Sequence, residues 1–399
     1  MTRFRTLYID MNSFFASVEQ QIDPSLRGRP LGITAISAES GAVVAASYEA
    51  KAYGVGVGTR IYEAKRLCPG IVFRMSRHRL YARVNQKIAV VLDQMAELER
   101  VRSIDEFQIA LGGSTAKLEN ALALARRMKT TIFENVGSQL RCSIGIGPNP
   151  LLAKIAGKLE KPDGLAWLAP ENMPERISHL AIDDLPGISR GIRARLNKAM
   201  IWDIPALYAL DPRHARLIWH SVEGERFIRA LQGENIPIGE TQRNGYGNSK
   251  VLAPQYRPPG KARLVGRWLV EKATERMRRD TYCARHFSMQ ARFQPHGSWA
   301  GAQSVTATQD TRVLLQIFEG LWERLMEESP SQISSLSIHL GKLILLSERS
   351  GELFLPLKPA RQSRNEKLAA VVDGINRRYK ARVIQFGDHQ DHPGFFENG

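Results

Sequence analysis

Asp10 closes the apolar run Leu7-Tyr8-Ile9, and the adjacent pair Asp105 and Glu106 sits inside Ser103-Ile104-Asp105-Glu106-Phe107. Both places read as strand ends. A carboxylate there costs burial energy unless a cation joins it, and hard oxygen ligands on rigid strand ends are what Mg²⁺ requires. A fold that brings these two distant stretches to one cleft would build a two-metal site for phosphoryl or nucleotidyl transfer. Each feature also has an ordinary explanation, Asp10 as a helix cap and the Asp-Glu pair as hairpin decoration. The flanking sequence decides between them.

At 399 residues the chain exceeds the usual single-domain size, so two to four domains with full cores are expected. Lys plus Arg number 56 against 40 Asp plus Glu, a net charge of +16, which points to a polyanionic partner: nucleic acid or a membrane surface. No stretch approaches the roughly 20 apolar residues of a spanning helix. The N-terminus runs straight into the strand carrying Asp10 rather than into a signal-type apolar core, so a cytoplasmic location without a membrane partner is expected. Cys68, Cys142 and Cys283 are odd in number, far apart and without Cys-x-x-Cys spacing, which argues for reduced, structural thiols.

Strand and helix signals alternate over the first ~165 residues, in an α+β pattern. Strand 4–9 leads into a helix from about Ser13 whose Phe14, Val18 and Ile22 share a face. Strand-like runs at 99–104 and 107–111 flank the acidic pair. Leu118, Leu122, Ala125 and Ile132 predict an amphipathic helix, and Leu140 to Ile146 another strand, completing a split βαβ unit. An insertion at roughly 25–78, rich in Gly, Ala and basic residues, is expected to form a small lobe facing the cleft.

From about 170 to 235 the pattern is helical and contains Leu185-Pro186-Gly187-Ile188-Ser189-Arg190-Gly191-Ile192, a tight turn entering a helix with Arg193 and Arg195. Such a turn points backbone N–H groups outward, where a nucleic-acid phosphate can accept them. Residues 236–247 read as a linker. Beyond it, 248–388 reads as helix, strand, strand, strand, helix, strand, with Leu264, Trp268, Ala273 and Met277 on the first helix and later helical signals around Leu321 and Val371. Arg257, Lys261, Arg263, Arg267, Lys272, Arg276, Arg278, Arg279 and Arg285 crowd its first portion, a candidate surface for tracking a phosphate backbone.

If Asp10, Asp105 and Glu106 converge, two Mg²⁺ ions roughly 3.5–4 Å apart would lie between them. A triphosphate then needs cations and donors, and the chain offers Tyr48 and Lys51 in Ser47-Tyr48-Glu49-Ala50-Lys51, and Lys161 in Lys161-Pro162-Asp163-Gly164.

Asp10-Met11-Asn12-Ser13-Phe14-Phe15-Ala16-Ser17-Val18-Glu19, Ser47 to Lys51, Ser103-Ile104-Asp105-Glu106, Ser143-Ile144-Gly145-Ile146-Gly147 with Leu152-Ala153-Lys154-Ile155-Ala156, and Lys161 to Gly164 follow one another in this order. Together they resemble a Y-family DNA polymerase of the DinB type. The resemblance spans nearly the whole chain, with its specific motifs ending near residue 195. It implies a right-hand polymerase with a ferredoxin-like palm at 1–12 and 79–168, fingers at 13–78, a helical thumb at 169–235, the linker 236–247, an α+β little finger at 248–388 and a tail at 389–399. It implies low-fidelity, lesion-tolerant primer extension by a monomer acting on primer-template DNA and deoxynucleoside triphosphates.

By the same resemblance, Asp10, Asp105, Glu106 and the Met11 carbonyl would hold two Mg²⁺ ions, with Mn²⁺ as an alternative. Phe14, Tyr48, Lys51 and Lys161 would contact the nucleotide, and Phe15 would be the steric gate beneath the sugar. Ala42, Val44 and Gly58 would line the nascent base pair, and Gly187, Ile188, Ser189, Arg190 and Gly191 would meet DNA. Glu352-Leu353-Phe354 is a candidate peptide for docking on a sliding clamp. Four residues depart from the family pattern: Asn12 for a second Asp, Ala45 for Thr, Lys51 for Arg and Arg60 for Pro. Losing a hydroxyl donor and a bidentate guanidinium should weaken triphosphate binding.

Three other functions compete with this reading. A non-catalytic DNA-binding relative would be expected to have lost carboxylates, and all three remain. A nuclease would shorten a primer rather than lengthen it. A dinucleotide enzyme is set aside, because Gly145-Ile146-Gly147 is followed by Pro150 in place of the third glycine.

Overall fold

A computed structural model describes residues 2–36, 39, 41–237, 243–294, 296–349, 359–379 and 382–389. The chain divides into two compact units, Met1–Gly239 and Glu240–Gly394.

The first unit is built around β1 (Thr6–Met11), followed by α1 (Phe14–Ile22), β2 (Leu31–Thr34), β3 (Val43–Ala46), α2 (Tyr48–Lys51), α3 (Ile61–Leu67), β4 (Val72–Met75) and α4 (His78–Asp93). Then come β5 (Leu98–Val101), β6 (Glu106–Ala110), α5 (Leu118–Asn135), β7 (Cys142–Gly147), α6 (Pro150–Leu159) and β8 (Leu165–Trp167). The main sheet has the order β5-β6-β1-β7-β8, with β1 antiparallel to both neighbours. The period-2 alternation of β1 divides its side chains. Leu7 and Ile9 are fully buried with Phe107, Ile109, Ile144 and Ile146 against α4 and α5. Tyr8 and Asp10 take the other face, which α6 covers.

Two glycines allow that cover. A Cβ on Gly145 would lie 2.0 Å from the Ala153 carbonyl oxygen and 2.2 Å from the Gly157 nitrogen, and one on Gly147 would lie 2.5 Å from the Ala153 nitrogen. Gly145 pairs with Tyr8 and Gly147 with Thr6 across the sheet. The Gly-x-Gly pair that superficially suggests a phosphate loop is thus a helix-packing device. It seats α6 directly on the strand.

A smaller sheet, β3-β2-β4, closes over Val43, Ala46, Ala50, Val55, Ala64 and Cys68. The helices α7 (Arg190–Lys198), α8 (Ile204–Tyr208), α9 (Pro212–Trp219) and α10 (Val222–Leu231) share a core with the apolar face of α6.

The second unit comprises β9 (Gly245–Val251), α11 (Pro259–Arg279), β10 (Tyr282–Gln294), β11 (Ser298–Thr308), α12 (Thr311–Met326), β12 (Gln332–Gly341), β13 (Ile344–Leu345) and α13 (Pro359–Tyr379). Its sheet runs β11-β10-β12-β9, with β13 paired to β10. Here the structure departs from the sequence reading, because the unit opens on a strand and Gly245 to Gly247 are not linker. Gly245-Tyr246-Gly247-Asn248 carries no β-branched residue and reads as loop. It becomes strand by pairing with β12, where the His339 ring occupies the space a Cβ on Gly245 would need. Ile22 is also 47% exposed, since α1 ends there and its last residue overhangs the core.

Cys68, Cys142 and Cys283 are buried and free. Among the described residues, no helix is long and apolar enough to cross a membrane. The Glu352-Leu353-Phe354 segment lies outside the described residues, as does the tail beyond His389.

Gly145→Ala should destabilise the first unit by about 3 kcal/mol, the upper range for overpacking, because the atoms its Cβ meets are backbone and cannot rotate aside. Urea unfolding measures this directly. A loss below about 0.5 kcal/mol would mean that α6 is not seated as described.

Candidate active site

The pairing of β1 with β6 sets Asp10 directly opposite Glu106, and directly opposed residues project to the same face. Asp105 precedes β6, and its carbonyl accepts the Met11 N–H at 2.9 Å. Asn85 of α4 donates to the Ile104 carbonyl at 2.9 Å, and the Ser103 hydroxyl lies 2.6 Å from Asp105 Oδ1. The acidic turn is therefore held by strand, helix and side chain together.

Two lysines meet these acids. Lys161 Nζ lies 2.5 Å from Asp10 Oδ1, and Lys154 Nζ, on α6, lies 2.7 Å from Glu106 Oε1. The Tyr8 hydroxyl donates to Glu106 Oε2 at 2.9 Å and lies 3.2 Å from Lys154 Nζ. The two carboxyls respond oppositely. Burial, with the charges of Asp105 and Glu106, raises Asp10 above the ordinary carboxylate value despite Lys161. Burial also pushes Glu106 upward, but its bonds from Lys154 and Tyr8 outweigh that and hold it below. Burial and the Glu106 charge push the Tyr8 phenol far up, so it stays a donor.

Near Asp10, Lys51 Nζ donates to the Ser13 hydroxyl at 2.8 Å and sits 4.4 Å above the Tyr48 ring. Burial and the Lys161 charge lower the Lys51 ammonium, offset in part by Asp10. Burial and Asp10 raise the Tyr48 phenol. Phe15, half-buried, stacks on Tyr81 with centroids 4.2 Å apart and planes at 15°. The Tyr81 hydroxyl donates to buried Glu19 at 2.8 Å, and Arg77 grips the same carboxylate. Ala42 bridges to Arg60, and the Gly58 N–H donates to the Val43 carbonyl at 2.8 Å, which brings the turn with Gly58 against the start of β3, where Ala42 precedes the strand and Val44 lies on it.

The remaining expected residues lie as follows. Phe14 is 3% exposed and packs with Leu7 and Val18, so its ring belongs to the core rather than to a nucleotide. Gly187 turns at φ 95, and Ser189 caps α7 by accepting the Ile192 N–H, while Ile188 is buried. Arg193 pairs with Asp183 and Arg195 donates to the Trp219 carbonyl. In the second unit, Arg263 and Arg267 pair with Glu319, Arg278 with Asp373, and Arg279 with Asp280. Much of the basic run therefore closes its own unit instead of forming an open stripe. The sequence reading gave no site role to Tyr8, Lys154, Asn12 or Ser143, although Asn12 stood out as a departure from the family pattern and Lys154 and Ser143 lie within its motifs. Tyr8 was legible as the residue two before Asp10 on the same strand face.

Residues 9–158 match the impB/mucB/samB family, and residues 243–353 match that family's C-terminal domain. DNA polymerase IV of Moorella thermoacetica is 32% identical over 386 residues, which cover 95% of this chain and 94% of that protein. The chain belongs to the DinB-type Y-family DNA polymerases. DNA polymerase IV of Pelotomaculum thermopropionicum is 38% identical over 199 residues, 50% of this chain and 49% of that one. A solved Y-family polymerase chimera of Dbh and Dpo4 shares the fold with a TM-score of 0.72 at 22% identity, covering 86% of this chain and 99% of that one. DinB from Sulfolobus solfataricus aligns over the same shares with a TM-score of 0.53 at 23% identity.

Y-family polymerases use divalent metal ions, and the oxygen donors at this site fit that chemistry. Among the described residues, no three His, Cys, Asp or Glu side chains already close into a metal cage. Lys161 and Lys154 instead supply positive charge to Asp10 and Glu106, which is what a hard cation would also do for these carboxylates.

The raised Asp10 pKa carries a sign. Its favourable contribution is present when the group is protonated and is lost as pH rises through the raised value, so at neutral pH the charged form opposes folding. Asp10→Asn should therefore raise Tm in chelator at pH 7 to 8, and the gain should shrink on acidification toward ordinary carboxylate values. Thermal unfolding across that range tests it, and a lower Tm for the variant at pH 8 would contradict the assignment.

Proposed function

We propose that this chain extends a DNA primer by template-directed nucleotidyl transfer, with tolerance for damaged templates. The observation that carries this reading is the placement of Asp10 opposite Glu106 and beside Asp105, with Lys161 and Lys51 reaching the same place. The carboxylates of Asp10, Asp105 and Glu106 and the Met11 carbonyl would hold two Mg²⁺ ions, or Mn²⁺, which when bound activate the primer hydroxyl and neutralise the triphosphate.

The chain's own groups do the rest. Lys161, Lys51 and the Tyr48 hydroxyl donate to triphosphate oxygens, and Lys154 with Tyr8 keeps Glu106 charged and oriented. Phe15 lies beneath the sugar, where its ring clashes with a 2′-hydroxyl; stacking on Tyr81 denies it room to retreat. Ala42, Val44 and Gly58 are small, which leaves space for a distorted base pair and lowers accuracy.

In this reading the sheet of the first unit is the palm, the β3-β2-β4 lobe the fingers, α7 to α10 the thumb, and the second unit the little finger. The Gly187 to Gly191 turn meets a DNA phosphate. On β10, Phe287, Met289 and Ala291 are buried while Gln290 and Arg292 are exposed on the opposite face, which offers donors to a backbone. The protein acts as a monomer, and the segment at Leu353 and Phe354 is a candidate contact for a sliding clamp.

Asp105→Ala should abolish lengthening of a labelled primer on both undamaged and damaged templates while leaving DNA binding in place. Shortening of the primer by the native chain would instead indicate a nuclease. Phe15→Ala should raise the ratio of ribonucleotide to deoxynucleotide incorporation by about tenfold or more, as expected when a steric contact that excludes one group is removed. An unchanged ratio would remove Phe15 from the gate.

A further inference from the structure

The turn that carries Lys161 is held from outside its own segment. Asp163 sits in the left-handed region at φ 57, a conformation that costs energy for a residue with a side chain. Gly164 passes so near α6 that a Cβ would lie 2.0 Å from the Glu160 carbonyl oxygen. Asn12, 2% exposed, supplies the restraint. Its Oδ1 accepts the Asp163 N–H at 2.8 Å, and its Nδ2 donates to the Ser143 hydroxyl at 3.1 Å. Ser143 Oγ accepts the Gly164 N–H at 3.3 Å. On the outer side, Lys129 and Arg141 pair with the Asp163 carboxylate at 3.0 and 3.6 Å.

We propose that Asn12 is a positioning residue for Lys161, setting triphosphate affinity without touching the substrate. Two successive peptide N–H groups of the turn end on Asn12 and on its partner Ser143, so the peptide planes following Lys161 are fixed relative to β1 and β7. Those strands also carry Asp10 and its neighbour across the sheet, Ser143. One side chain therefore ties the lysine's anchor to the frame that places the carboxylates. A neutral amide does this without adding another negative charge beside Asp10. The proposal rests on the reading of Lys161 as a triphosphate ligand.

Steady-state primer extension with varied deoxynucleotide separates the two ideas. Asn12→Leu, which keeps the size but removes the acceptor, should raise KM about tenfold, equivalent to about 1.4 kcal/mol, with kcat within about threefold of native. Asn12→Asp retains the acceptor oxygen and should return KM to within about threefold of native. Ser143→Ala, which removes only the second tether, should raise KM about threefold and keeps the test open if Asn12→Leu does not fold. Lys161→Ala should raise KM by itself, and Asn12→Leu added to it should change KM less than about twofold. If Lys161→Ala raises KM while Asn12→Leu and Ser143→Ala do not, or if the Asn12 and Lys161 effects multiply, the Asn12 role is overturned while the Lys161 reading stands. If Lys161→Ala leaves KM unchanged, the Lys161 reading fails, and this proposal with it.

Discussion

The register of β1 between β6 and β7 is the constraint from which the rest of the site is measured. A slip of one residue would send Leu7 and Ile9 to the α6 face and Asp10 into the apolar core. The slip is prevented because both faces of β1 are covered: Leu7 and Ile9 are locked among core residues of α4 and α5, and Tyr8 is trapped beneath α6. The same packing that stabilises the sheet thus decides which acid faces which. Asp10 meets Glu106 on one side and Ser143 on the other, and Asp105 is drawn in by its carbonyl bond to Met11.

Within that frame the two opposed carboxylates differ in kind. Glu106 has Lys154 from a helix and Tyr8 from the strand as donors, with Ser103 beside them, and together they hold it charged. Asp10 has Lys161, which comes from a turn and does not overcome burial and the neighbouring acids. Asp10 is therefore the group with most to gain from an added cation, and Glu106 the one already oriented. The arrangement keeps one carboxylate fixed and leaves the other dependent on what binds, a division expected where charge is neutralised by a bound cation rather than once on folding.

The acidic trio, the lysine before Pro162 and the split βαβ core were legible because each is local: an apolar run that ends in an acid, or a turn dipeptide after a lysine. The partners were not. Lys154 reads as one more basic residue on an amphipathic helix until Gly145 and Gly147 are seen to let that helix approach the strand. Phe14 and Phe15 are adjacent and chemically alike, and only the direction in which α1 leaves Asn12 sends one ring to the core and the other to Tyr81. β9 escaped because its strand character comes from β12 rather than from its own residues.

The basic run at the start of the second unit shows why charge count is a weak guide to a binding face. Arg278 is only 6% exposed in its side chain, and a buried guanidinium persists only with partners, here Asp373, the Gln309 carbonyl and the Thr311 hydroxyl. Arg267 reaches Glu319 and the carbonyls of Phe386 and Asp388, so it fastens the end of the described chain to α11. Lys272 lies 4.1 Å above the Trp268 ring. These cations hold α11, α12, α13 and the closing segment together, and each one so engaged is screened from a phosphate by the partner it already has. The +16 excess of the whole chain therefore overstates how many cations of this run stand open to a phosphate, and the exposed Arg292 on β10 lies outside the run.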